Sequence, residues 1–231
     1  MSAGSSIWYL EDVDLKDCFC PITGGEDKYN KQPKRHYKKG EFIYFSDDTA
    51  DKVYFIHGGA VKIAGYTEDG NEMIKAILKE GEIFGELAVF GAERRSDYAQ
   101  AVEASEICML EAPQVVDLMR NTEGFRKFLH MLMGERVIYS QKRLESLLFK
   151  DAKTRIAEYV VEQSQRGART LADGSLVLRN YLTHQEIANY TGTSRQTVTT
   201  VLNEMREDQI LDFNRKQITI KNLRELKAEA S

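Results

Sequence analysis

Arg195, Gln196, Thr199 and Thr200 carry side chains able to read a nucleic acid. Arg can fork two hydrogen bonds onto guanine, and Gln onto adenine. They stand within Leu182 to Leu202, whose spacing predicts two short helices around a tight turn. Thr183 with Glu186 three residues later is a capping box that opens the first helix. Ile187 and Ala188 face inward, and Gly192 occupies the turn. Ser194 or Thr193 caps the second helix, whose free N–H groups and dipole favour a phosphate. Val198, Val201, Leu202 and Met205 form its buried face, which turns Arg195, Gln196, Thr199, Thr200 and Asn203 outward. The candidate DNA contacts are Thr183, His184, Ser194, Arg195, Gln196, Thr197, Thr199 and Thr200. Further on, Ile210-Leu211 and Gln217–Ile220 flank Asn214-Arg215-Lys216, which reads as a β-hairpin wing with two cations at its tip. Any pair of solvated helices shows polar outward residues. Cap, alanine, turn glycine, buried spacing and cationic wing in one register favour DNA binding.

A second cluster has the chemistry of an anion site. It runs Gly81-Glu82-Ile83-Phe84-Gly85-Glu86-Leu87-Ala88-Val89-Phe90 and ends in Arg94-Arg95-Ser96. Gly85 permits close backbone approach, and a following helical turn can aim N–H groups at an anion. Arg95 offers a fork of donors that matches phosphate oxygens, Ser96 a hydroxyl, and Glu86 an acceptor for a ribose hydroxyl. The plain alternative is a surface hairpin in which Glu86 and Arg95 pair only with each other.

The elements that must position these groups fall into two kinds. Over roughly residues 30–110 apolar residues alternate, as at Val53 and Phe55 and again at Val61 and Ile63, with turns at Gly40, Gly58-Gly59, Asp69-Gly70, Gly81 and Gly91. Short strands between glycine corners predict a barrel or jelly roll. Past Pro113 the pattern becomes helical: Gln114–Arg120, then a long helix from about Thr122 to Phe149. That helix carries one apolar stripe at Phe125, Phe128, Leu129 and Leu132. A second, at His130, Met133, Val137, Ser140, Leu144 and Leu147, has the alternating three-and-four steps of a coiled-coil seam. The first can pack on the barrel, and the second suits a second copy of the chain. Lys153–Gln165 forms a further helix, ended by Gly167, and Asp173-Gly174 turns before a strand at Leu176–Leu178.

Composition sets limits. The 231 residues are 42% hydrophobic and 29% charged, enough for a packed core. Residues 151–231 hold 12 Lys+Arg and 11 Asp+Glu, a net of +1; the other 150 hold 20 and 25, a net of −5, giving the total of −4. Bulk charge therefore does not announce a nucleic-acid binder, and the claim rests on local residues. No run approaches the roughly 18 apolar residues of a membrane helix, and Met1 to Asp12 lacks the pattern of a signal peptide. Cys18, Cys20 and Cys108 are too few for a disulfide framework, which points to a reducing cytosol. No catalytic triad, paired carboxylates, metal-ligand set or Walker spacing stands out, so an enzyme is not expected.

Residues from about 33 to 222 resemble the cAMP receptor protein and fumarate–nitrate regulator (CRP/FNR) family of bacterial transcription factors. The resemblance rests on Phe84-Gly85-Glu86-Leu87-Ala88, on Arg95-Ser96, on Lys153-Thr154-Arg155-Ile156-Ala157 and on the helix-turn-helix. It implies an α+β chain in three parts. Residues 1–120 would form a cyclic-nucleotide-binding-type β-barrel (a jelly roll), 121–150 a long dimerisation helix, and 151–231 a winged helix-turn-helix. It implies a cytoplasmic homodimer joined through residues 130–147. Two recognition helices would enter successive major grooves of a near-palindromic operator, about 34 Å apart. Changes in the barrel would repack the long helices and re-aim the DNA-binding parts. An activator would also touch RNA polymerase through surface loops, with 167–174 and the barrel hairpins as candidates.

The resemblance further implies a cofactor site for a cyclic nucleotide, cAMP or cGMP, at Gly85, Glu86, Leu87, Arg95 and Ser96, with Ser140 meeting the base. The sequence departs from that pattern in places. Asp97 follows the Arg-Ser pair where cAMP-responsive members have a small residue, and an inward Asp97 would oppose a phosphate. Of two adjacent hydroxyl residues in the long helix, Ser140-Gln141 keeps one. An iron–sulfur centre would need more cysteine ligands than Cys18, Cys20 and the distant Cys108 offer. A haem would have only His36, His57 or His130, and a lone histidine is more often structural. In the recognition helix Arg195 matches members that read a TGTGA-like half-site, but Gln196 and Thr200 replace their Glu and second Arg. That predicts a different half-site. The competing function is a cyclic-nucleotide-binding signalling module without DNA activity, which would need an effector domain the sequence does not show.

Overall fold

Alternation of apolar side chains on successive strands builds the first half of the chain. The computed structural model describes residues 34–231. Its strands are β1 (Arg35–Tyr37), β2 (Phe42–Tyr44), β3 (Lys52–Gly58), β4 (Ala60–Tyr66), β5 (Glu72–Lys79), β6 (Ile83–Phe84), β7 (Tyr98–Ala101) and β8 (Ser105–Glu111). They form two four-stranded sheets, ordered β1-β8-β3-β6 and β2-β7-β4-β5. The strands therefore form two separately hydrogen-bonded sheets, the jelly-roll form of the expected barrel or jelly roll. Strand β3 is buried on both faces, and the period of two sorts its side chains. Val53 and Phe55 point into one core cluster, Tyr54 and Ile56 into the other. Asp69-Gly70 lies in the turn of the β4–β5 hairpin, where Tyr66 opposes Glu72.

Helix α1 (Ala112–Asn121) begins two residues earlier than its apolar pattern suggested, because Pro113 sits inside the first turn. An N–H is not needed there, and Glu111 with Gln114 makes a reciprocal capping box. Helix α2 (Glu123–Phe149) follows. Its Phe125, Phe128, Leu129 and Leu132 complete the cluster around Val53, Phe55, Ile83 and Leu110. The second stripe stays open: Val137 is 55% and Leu144 58% exposed, and Leu147 is exposed as well. His130 and Ser140 are exposed on it, and Met133 is half-buried.

The contacts divide the chain within α2: one unit ends at Ile138 and the second runs from Tyr139 to Ser231. The second contains α3 (Ala152–Gln165), β9 (Arg169–Thr170), β10 (Leu176–Arg179), α4 (His184–Thr191), α5 (Arg195–Glu207), β11 (Leu211–Phe213), β12 (Gln217–Ile220) and α6 (Leu223–Glu229). Its sheet runs β11-β12-β10-β9. Asp151 caps α3 by accepting from Thr154 N–H at 2.8 Å, and those backbone donors hold its carboxyl below the ordinary range. Cys108 is buried on β8; Cys18, Cys20 and the Met1–Asp12 segment lie outside the described residues. Among the described residues no helix is long and apolar enough to cross a membrane.

Phe128 tests the packing of α2 on the first sheet, since its ring is buried among Phe125, Leu129 and the strands. Phe128→Ala should lower stability in urea unfolding by about 3–5 kcal/mol. A loss under about 1 kcal/mol would mean that the ring is not part of a tight core.

Candidate nucleic-acid interface and ligand pocket

The helix-turn-helix is assembled from its ends. Thr183 accepts from Glu186 N–H at 3.2 Å, and its own N–H donates to Glu186 Oε2 at 2.9 Å, so the capping box is formed. Helix α4 ends at Gly192, whose φ of +62° is left-handed. A Cβ there would come within 2.9 Å of Leu147 Cδ2, so glycine answers both the turn and the close approach. Ser194, not Thr193, caps α5, accepting from Thr197 N–H at 3.0 Å and bonding the Thr197 hydroxyl at 2.8 Å. Val198, Val201, Leu202 and Met205 are buried, which fixes the rotation of α5. Arg195, Gln196 and Thr200 are consequently exposed on it.

Two of the candidate contacts have local duties. The Thr199 hydroxyl donates to the Arg195 carbonyl at 3.0 Å and meets His184 Nδ1 at 2.9 Å, so its one proton is spent inside the motif. His184 also lies 5.4 Å, centroid to centroid, from the Phe213 ring. Burial, then the Arg195 and Arg206 charges, hold its imidazole below the usual histidine range. Arg206 lies over the Phe213 ring at 3.9 Å, bonds Asp212 at 2.8 Å and donates to the Phe213 carbonyl at 2.6 Å. These bonds tie the recognition helix to the wing. At the wing tip Asn214 Oδ1 accepts from Lys216 N–H at 2.8 Å and Gln217 N–H at 3.0 Å. This is an Asx-type turn, and it leaves Arg215 and Lys216 exposed.

Sequence reasoning missed the residues that brace the motif. Arg155 Nε donates to the Thr191 carbonyl at 2.8 Å, Nη2 to the Gly192 carbonyl at 3.1 Å and Nη1 to the Lys150 carbonyl at 2.5 Å. It satisfies the carbonyls that the end of α4 leaves open. Tyr190, buried, donates to Glu162 at 2.7 Å, and the Tyr139 hydroxyl lies 2.6 Å from that of Tyr190. Arg143 stacks on the Tyr190 ring at 4.1 Å. Burial, with Glu162 next in weight, pushes the Tyr190 phenol well above its usual range. Only the Arg155 position carried a signal, through the Lys153–Ala157 motif.

In the first unit the cassette folds around Gly85. Its φ is +76°, and a Cβ would stand 2.9 Å from Arg95 Nη1, 3.0 Å from the Lys52 carbonyl and 3.0 Å from Tyr54 Cδ2. Glu86 then opens a short 3-10 turn, Glu86–Val89. Gly85, Glu86, Leu87, Arg95, Ser96 and Asp97 line one pocket of about 140 Å³, together with Tyr44, Phe84 and Arg136. Glu86 and Arg95 do not pair. Arg95 is buried, donates to the carbonyls of Gly85 at 3.0 Å and Lys52 at 2.5 Å, and lies 4.6 Å over the Tyr44 ring. Glu86, also buried, takes Arg136 of α2 at 2.7 Å. Arg95 Nε and Glu86 Oε2 have no hydrogen-bond partner among the described residues.

Asp97 does line the pocket, but its charge is answered by Lys75 at 3.1 Å and by the Tyr44 hydroxyl, which donates at 3.2 Å. Burial, with Asp97 next, raises the Tyr44 phenol far above its usual range. Ser140 lies on the part of α2 that belongs to the second unit, exposed. Among the described residues no group of three or more His, Cys, Asp or Glu gathers to hold a metal ion.

Residues 34–122 match the family model of the cyclic nucleotide-binding domain, and residues 154–229 that of the Crp-like helix-turn-helix domain. The chain is 27% identical to the global nitrogen regulator of a Nostoc species over 186 residues, 80% of this chain and 83% of that protein. It is 26% identical over 231 residues to the fumarate and nitrate reduction regulatory protein of Vibrio cholerae, covering 98% and 92% of the two chains. A solved transcriptional regulator of the CRP/FNR family from Thermus thermophilus superposes with a TM-score of 0.69 at 26% identity, over 86% of this chain and 98% of that one.

The cassette geometry makes Gly85 and Gly91 a matched pair. Both have left-handed φ, at +76° and +94°, but a Cβ on Gly91 would touch nothing within 4 Å. Gly91→Ala should cost only the backbone preference, about 1–2 kcal/mol. Gly85→Ala should cost clearly more in the same urea titration, because its Cβ meets Arg95, Tyr54 and a carbonyl. Equal losses would show that the cassette is not packed around that position.

Proposed function

This chain belongs to the CRP/FNR family of transcription regulators, and from that premise we propose that it is a homodimeric, sequence-specific DNA-binding protein controlled through its N-terminal ligand-binding-type unit. The family consists of regulators and not of enzymes. The observation that carries the reading is the face of α5. Arg195, Gln196 and Thr200 are exposed there beside a capped helix N-terminus, with the wing cations Arg215 and Lys216 exposed as well. The apolar row Val137, Leu144 and Leu147 supports a dimer, since exposed apolar rows on a helix call for a partner. Two copies place two recognition helices on a near-palindromic operator, half-sites about 34 Å apart. Arg195 suits a guanine, while Gln196 and Thr200 stand where readers of TGTGA have a Glu and a second Arg, so the half-site differs from TGTGA. Thr183, Ser194 and Thr197, at the two helix starts, face backbone phosphates. The protein works in the cytoplasm, and where it activates it meets RNA polymerase through surface loops.

Selection of duplexes from a random pool by the full-length protein tests this reading. It should return a near-palindrome whose half-site keeps a guanine for Arg195 but departs from TGTGA. Arg195→Ala should weaken that duplex by about 1–3 kcal/mol per half-site while the protein still sediments as a dimer. Val137→Lys should lose the dimer first. Unselected sequences, or an unmodified TGTGA palindrome, would count against it.

The pocket is the control point. Glu86 joins the cassette to α2 through Arg136, so a ligand competing for Glu86 acts directly on the helix. Its volume of about 140 Å³ falls below the ~300–1,000 Å³ of pockets for drug-sized ligands, and both terminal nitrogens of Arg95 already serve carbonyls. A cyclic nucleotide at Gly85, Glu86, Leu87, Arg95 and Ser96 would have to turn the Arg95 fork away from those carbonyls, so weak binding or none is expected. Calorimetric titration with cAMP and cGMP should give no saturable binding at micromolar concentrations. A saturable isotherm that disappears in Arg95→Ala would establish a cyclic-nucleotide sensor instead.

A further inference from the structure

We propose that His184 is a proton-linked phosphate contact: on binding DNA its imidazole takes up a proton from solvent, so that acidification tightens the complex. The inference rests on the DNA-binding reading above and concerns the regulation of that same face. His184 is the first residue of α4, immediately after the Thr183 cap. It touches the recognition helix through Thr199 and the wing strand through Phe213. It is thus part of the framework that holds α5, and it is half-buried rather than enclosed.

The hydrogen bonding assigns the tautomer. Thr199 donates its one hydroxyl proton to the Arg195 carbonyl, so toward His184 it can only accept. Nδ1 is then the N–H donor of the 2.9 Å contact, and Nε2 carries the lone pair. A proton added at Nε2 leaves the Nδ1 bond intact. The ring gains a positive charge without disturbing the helix it braces.

The surroundings set the direction. Facing the ring are Arg195, Arg206, Thr199 and Phe213, and its own helix contributes Glu186, which is engaged in the capping box. Asp212 is engaged with Arg206. Without DNA, burial and the two guanidinium groups hold the imidazole neutral below its usual range. A phosphate beside the ring favours the charged form and raises that pKa. Affinity therefore climbs as pH falls from the bound-state pKa to the free-state pKa, and is flat outside that window. The chain has four histidines, and only His184 falls after residue 138. Protons taken up near neutrality by this DNA-binding face thus have one source.

The test measures the dissociation constant of the full-length protein for a duplex recovered from the random pool, from pH 8 to pH 6, at several salt concentrations. The wild type should bind about tenfold tighter at pH 6, which corresponds to about one pKa unit of summed shift. Its salt slope at pH 6 should be steeper by about 0.9 per subunit, the signature of one more cation on a phosphate. His184→Arg should remove the pH dependence and keep the steep salt slope, and His184→Gln should remove the pH dependence and keep the shallow slope, whatever either does to the absolute affinity. A wild-type affinity that does not change with pH overturns the inference, as does a pH dependence that survives in His184→Gln. A steeper affinity without a steeper salt slope overturns the phosphate contact. Failure of the wild type to bind any duplex overturns the DNA-binding reading and this inference together, and is told apart from the others at the first titration.

Discussion

One helix has to satisfy two folding units with a single backbone, and the organisation of the chain follows from that constraint. The first turns of α2 bury Phe125, Phe128, Leu129 and Leu132 in the core of the first unit. One turn further on, Arg136 reaches Glu86 at 2.7 Å and donates to the Ile83 carbonyl at 2.7 Å. From Tyr139 the same helix belongs to the second unit, where Tyr139, Arg143, Ser146 and Leu147 meet Tyr190, Glu158 and Gly192. Buried carboxylates and guanidinium groups hold their places only when paired or hydrogen-bonded. The Glu86–Arg136 pair is therefore a stiff link between the pocket and α2. In the second unit α2 is held instead by the Tyr139 hydroxyl, by Arg143 over the Tyr190 ring and by Ser146 against Glu158.

The attachment around Tyr190 shows how such a joint is built. Tyr190 gives its hydroxyl proton to Glu162, so Tyr139 must donate to Tyr190. Arg143 over the ring adds a cation–π contact, worth more when partly desolvated than at an open surface. The Tyr159 ring packs at 5.1 Å from the other phenol. Each polar atom in this chain of bonds has a partner, and a satisfied buried network favours one arrangement over its neighbours. The last turns of α2 are in this way part of the structure that carries the recognition helix.

What could be read in advance was local. Thr183 with Glu186, the glycine at 192, the buried spacing of α5 and the alternation in β3 are patterns a few residues long, and the chain folds them as their chemistry dictates. What was missed joins distant positions. Glu86 and Arg136 are fifty residues apart, as are Tyr139 and Tyr190 within one residue, and Arg155 reaches the end of α4 from α3. No periodicity encodes a partner at that distance. The cassette was half legible: its residues do gather around one pocket, but the fork of Arg95 turned to main-chain carbonyls, which only the path of the chain through Lys52 and Gly85 reveals. Thr199 was misleading for a different reason. Its place on the outward face of α5 was correct, yet a neighbour from α4 was close enough to take its hydroxyl.

Those internal bonds narrow what the recognition face can read. With Thr199 held by His184 and Ser194 bonded to Thr197, the exposed side chains of that face are Arg195, Gln196 and Thr200. A short set of readers on a helix fixed by Arg155, Arg206 and Tyr190 loses less side-chain and loop freedom on binding than a flexible one. Its phosphate contacts set register but not sequence. The net charge of −4 adds no general attraction to DNA, which leaves electrostatic attraction to local cations such as Arg195, Arg215 and Lys216. In the proposed complex, discrimination between operator and bulk DNA would then rest on a few rigid contacts. That is the arrangement in which one added charge at the edge of the motif changes occupancy most.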